Sequence, residues 1–89
     1  MTWKQIIIQI TEGIENIPSP FAKDGIIEHY YVVVNEEERM GFLVAWCSVT
    51  HKGIHFSRVK VPQGLPYILN EEFMKMKIPE IIWMDPDLG

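Results

Sequence analysis

A single cysteine, Cys47, is the only thiol in this chain, so no intramolecular disulfide can staple it, and the sequence reads as adapted to a reducing, cytoplasmic compartment. No apolar run approaches the roughly 20 residues that a membrane-spanning helix needs, so the membrane is not among the expected partners. The opening Met1-Thr2-Trp3-Lys4 leads into an isoleucine-rich stretch broken by Gln5 and Gln9. A secretion leader would instead show a continuous apolar segment and a small-residue cleavage site, so none is expected. Cations are few: eight Lys and Arg face twelve Asp and Glu, a formal charge of −4 and a pI near 5.2. Nucleic-acid binding depends on clustered cations that displace counterions, so nucleic acid is not an expected partner either.

Chemical motifs are equally scarce. The sequence holds no phosphate-binding glycine loop, no Ser-centred nucleophile elbow and no His-Glu-x-x-His zinc motif, and no repeat or low-complexity tract divides it. Metal ligands of the soft or borderline kind are limited to His29, Cys47, His51 and His55, scattered where a structural zinc site would pair them on short knuckles. No catalytic residue, metal or cofactor is therefore expected. Each acidic pair has a plainer role than cation binding. Glu36 to Glu38 form a solvated hairpin tip, Glu71 and Glu72 suit a helix N-terminus, and Asp85 and Asp87 lie near the chain end.

What the chain does have is apolar content. Hydrophobic residues make up 47% of its 89 residues and charged ones 22%, the balance of a folded single domain spanning residues 1–89. A chain of this size buries only roughly 60–65% of the surface its unfolded state exposes, so a second copy or a partner would add usefully to its stability. A homodimer is accordingly one expected state.

The order of elements predicts an α+β fold. Thr2 and Gln5 have capping-box spacing, and Trp3, Ile6, Ile7, Ile10 and Ile14 recur at helical intervals, which predicts an N-terminal helix to about Glu15, stopped by Pro18 and Pro20. Ile26 to Val34, Met40 to Thr50 and Ile54 to Val61 are rich in β-branched and aromatic residues, predicting a three-stranded antiparallel β-meander. Gly53 is placed in the left-handed position of the second hairpin loop. Asn70 is expected to cap a short second helix ended by Pro79, and Glu80 to Met84 is a candidate C-terminal fourth strand.

Register decides which side chains share a face. If Thr50 lies opposite Ile54, then Leu43, Ala45, Cys47 and Val49 share a face with His55, Ser57, Val59 and Val61. Phe42, Val44, Trp46 and Ser48 then share the other with Phe56, Arg58 and Lys60. A one-residue slip would exchange the third-strand partners. In either register the middle strand is apolar on both faces, so both must be covered.

Phe42, Trp46, Phe56, Arg58 and Lys60 are the candidate interaction residues, because aromatic anchors beside cations are the composition of protein interface hot spots. The expected function is a non-catalytic interaction or regulatory accessory module whose partner is another protein. One alternative is a small ligand-binding protein or enzyme using His29, His55 or Cys47 beside the sheet. Another is weak nucleic-acid binding through Arg58 and Lys60. The order helix, meander, short helix, strand resembles that of small excision-controlling accessory proteins of mobile elements, an order shared by many small α+β domains. That resemblance implies a phage- or mobile-element-encoded regulator and assigns no residue a role.

Overall fold

In the computed structural model, which describes residues 2–85, the chain runs α1 (Trp3–Thr11), β1 (Ile27–Asn35), β2 (Met40–Cys47), β3 (Lys52–Lys60), β4 (Ile68–Leu69), α2 (Asn70–Lys75) and β5 (Ile82–Trp83). The capping box forms as expected: the Thr2 N–H donates to Gln5 Oε1 at 2.8 Å and the Gln5 N–H to Thr2 Oγ1 at 3.4 Å. Helix α1 ends earlier than predicted, at Gly13 rather than at the prolines. Gly13 takes φ +82°, and the Gly13 N–H donates to the Ile10 carbonyl while the Ile14 N–H reaches back to that of Gln9. These two bonds satisfy carbonyls left open at the helix end, a stop set by backbone geometry that the apolar spacing of Ile14 concealed.

The meander β1-β2-β3 is antiparallel, but the sheet as a whole is mixed, with order β4-β1-β2-β3-β5. The two short edge strands pair in parallel, β4 on β1 and β5 on β3. Each is reached by a crossover instead of a hairpin, and a crossover delivers its strand in the direction of its neighbour. The candidate fourth strand thus appears as β5, and an additional strand, β4, precedes α2. Asn70 does not cap α2: the N-cap is Leu69, with no side-chain cap bond, and Asn70 Nδ2 contacts the Met74 sulfur instead.

The β2–β3 connection also differs from expectation. Residues 48–50 form the turn, the His51 N–H donates to the Cys47 carbonyl, and His51 rather than Gly53 takes the left-handed backbone, at φ 61°. Gly53 lies inside β3, where a Cβ would meet the Ala45 carbonyl at 2.5 Å and Ile81 at 2.7 Å. Close approach, not a turn, requires that glycine. The wider connection moves the register by an odd number, pairing Leu43 with Phe56, Val44 with His55, Ala45 with Ile54 and Trp46 with Gly53. Residues 54–57 of the third strand therefore exchange faces relative to the expected pairing, whereas past the bulge Val59 and Lys60 keep the faces expected for them.

The middle strand is hidden on both sides, as its composition demands: Leu43, Val44, Ala45, Trp46 and Cys47 are all buried. On the first face Trp3, Ile6 and Ile10 of α1 pack with Tyr31, Val33, Leu43, Ala45, Cys47 and Ile54. At about 1.5–3 kcal/mol per fully buried large apolar side chain, this cluster is a principal source of stability. On the second face Val44, Trp46 and Ile81 form a smaller cluster, lined by half-buried Tyr30, Phe42, Phe73 and Ile78. Among the described residues no helix is long and apolar enough to cross a membrane.

Candidate functional site

The five predicted interaction residues do not form one surface. Phe56 pairs with Leu43 and packs against the α1-side cluster, because the odd register shift turns it to the first face. Trp46 is only 3% exposed. Its ring stacks on Tyr30, with centroids 5.9 Å apart. Phe42 is half-buried and edge-on to Phe73 at 5.6 Å. The short helix and the C-terminal segment thus use two of the expected anchors as core. Arg58 and Lys60 are exposed. Gly41 pairs with Val59 and Phe42 with Ser57, which leaves Arg58 as the extra residue of a β-bulge, at φ 57°. Lys60 lies opposite Met40, and so on the Phe42 face.

A different aromatic emerges at the edge of this face. Trp83 is 55% exposed and Ile82 56%. Strand β5 holds them against β3 through the Ile82 N–H to the His51 carbonyl at 2.8 Å and the Met84 N–H to the Gly53 carbonyl at 2.7 Å. The Trp83 ring stands perpendicular to exposed His55, centroids 6.0 Å apart, and His55 rests in turn on Phe42 at 4.9 Å. The sequence marked Trp83 only as a strand residue. Its place on a two-residue edge strand depends on pairing that no local signal encodes.

The residues of the catalytic alternative are separated by the sheet. Cys47 pairs with Ile27, and His29 with Ala45 next to it, so both lie on the α1 side, whereas His55 opposite Val44 lies on the other. Cys47 is sealed beneath a thin layer of chain. Burial pushes its thiol up, but hydrogen bonds from Ser19 Oγ at 3.0 Å, from Thr50 and from the Val49 backbone outweigh it, and the thiol is lowered to about 7. Among the described residues no three His, Cys, Asp or Glu side chains gather as a metal site, and Asp87 lies outside the described residues.

His29 lines a cavity of about 380 Å³ beside the outer edge of β1, with Ile14, Glu15, Tyr31, Leu65 and Tyr67 among its walls. Burial lowers the His29 pKa below the ordinary 6.5, partly opposed by the Glu15 carboxylate. Its Nδ1 is enclosed without a hydrogen-bond partner. Arg39 donates to the Pro62 carbonyl at 3.1 Å and lies 5.4 Å from the Tyr67 ring centre, tying down the segment whose residues 65–68 form one wall of the cavity.

Comparison with known proteins gives no matching family model, no similar curated protein and no similar solved structure.

Proposed function

We propose that this chain is a non-catalytic accessory module that binds another protein through the β5 edge of its second face, with Trp83 as anchor, His55 beside it, and the cations Arg58 and Lys60 further along β3. The observation that carries this reading is the presentation of Trp83. The residue is more than half exposed, while the backbone N–H groups of Ile82 and Met84 on either side of it are bonded to β3 and its ring stands against His55. A large aromatic already held in place loses little conformational entropy on binding, which is why tryptophan dominates interface energetics. The partner surface is expected to be apolar at its centre with acidic groups toward Arg58 and Lys60.

Affinity capture from the native host with wild-type and Trp83→Ala protein, together with light scattering of each, tests this. A partner or a self-associated state that Trp83→Ala weakens about tenfold or more, with Ile8→Ala on the far side unchanged, supports the reading. Identical captured sets and a strict monomer for all three proteins would refute it.

A further inference from the structure

The outer edge of β1 is interrupted in an unusual way. At one end residues 17–19 lie against it, with Pro18 bridged antiparallel to Ile26 and the Ile27 N–H donating to the Ile17 carbonyl at 2.8 Å. At the other end β4 pairs with Val32 and Val33. Between these two segments, residues 28–31 have no neighbour on that side, a gap of about 13 Å at roughly 3.3 Å per residue. Successive peptide groups of a strand point to opposite sides. Because Ile27 directs its N–H outward and Ile26 directs its carbonyl to Ser48 on the β2 side, His29 directs both its N–H and its carbonyl into the gap. Among the described residues these two groups meet no hydrogen-bond partner. The gap is the 380 Å³ cavity beside His29, roofed by Ile14 and Leu65.

We propose that this notch is a binding site for a compact, uncharged molecule that carries an amide N–H and C=O beside an apolar group, the size of one capped amino-acid unit. This goes beyond the protein-binding reading and rests on a different part of the fold. The amide of such a ligand completes the strand ladder on His29, and its apolar group lies against Ile14, Leu65 and Tyr31. Chain at both ends of the gap blocks a peptide strand from running through it, which confines the ligand to about one residue. No lysine or arginine lines the notch while Glu15 does, so anions find no counter-charge there. A volume of this order is within the range that small-molecule sites occupy.

Two probes decide the matter by amide NMR of the wild-type protein: N-acetyl-L-leucine methylamide, and the same compound methylated on the leucine nitrogen, which removes the N–H that would pair with the His29 carbonyl and keeps the methylamide N–H. The expected result is saturable shifts of the His29 and Tyr31 amides with the first probe at millimolar concentration. Affinity should weaken about tenfold with the second, the loss expected for one buried hydrogen bond. No shift at His29 and Tyr31 overturns the proposal. Equal affinity for the two probes also overturns it, because the notch would then be adsorbing apolar surface without using the strand edge.

Discussion

One face of the sheet is closed by a nine-residue helix with a capping box at its start and a glycine-based stop, whereas the other is closed by a six-residue helix without a side-chain cap and a two-residue edge strand. The first cover places Trp3, Ile6 and Ile10 fully inside; the second places Ile81 inside and leaves Phe73 and Ile78 half-buried, with Ile82 and Trp83 outside. Both arrangements hide the middle strand, yet they differ in cooperativity. A regular helix commits its whole apolar stripe at once, while an irregular segment contributes side chains singly and can open singly. The face with the weaker cover is also the one that presents an exposed aromatic, Trp83.

The largest expected effect separates the two covers directly. Trp3→Ala should cost about 3–5 kcal/mol and Ile6→Ala about 2–5 kcal/mol in denaturant unfolding, enough to unfold much of a domain this small. Phe73→Ala on the second cover should cost only about 1–2 kcal/mol, because its side chain is already partly in water and little cavity forms. Comparable losses on both faces would abolish the distinction. Next in size, the Ile82 and Met84 amides should exchange with solvent about a hundredfold faster than those of β2, a gap of about 2.7 kcal/mol, if β5 opens without global unfolding. Equal protection would show that both covers belong to one cooperative unit.

A smaller effect of about 1 kcal/mol is expected from Gly13→Ala, which forces a Cβ into a left-handed backbone at the end of α1. Leu65 Cδ2, 3.2 Å from that Cβ, must also shift. pH offers a further test, separate from these substitutions. A Cys47 thiol at about 7 in the folded state, against 9.0 unperturbed, contributes stability that is complete above pH 9 and is lost as pH falls toward 7. Stability should therefore rise from pH 7 to 9, and Cys47→Ala should flatten that rise. His29 acts at the acid end. Its folded pKa lies below 6.5, so below that pH the unfolded chain binds the additional proton and stability falls, a loss that His29→Gln should reduce.

Much of the architecture was legible because it follows from short-range chemistry. Thr2 and Gln5 announce a helix start through two reciprocal bonds, and the β-branched runs of β1, β2 and β3 mark strands whatever their pairing. Which aromatics share a face was not legible, since one odd step in register moves Phe56 to the other side. That step came from a turn at residues 48–50 that no glycine marks. The notch was less legible still. His29 stood out as a titratable residue, but the open strand edge beside it exists only because residues 17–19 and 68–69 stop short of each other in space.

By itself the sequence determined that the strand it predicts over Met40 to Thr50 must be covered on both faces, because an uncharged strand with large side chains on alternate sides has no face it can leave in water. It also determined that α1 could cover one of them, since Trp3 and isoleucines at helical spacing make an apolar stripe on one side of the helix. Only the tertiary structure decided what covers the second face, how the third strand is registered, and where the edges remain open. Those outcomes depend on pairings between residues far apart in the chain, whose energies are set by shape and hydrogen bonding across the assembled sheet rather than by any local preference.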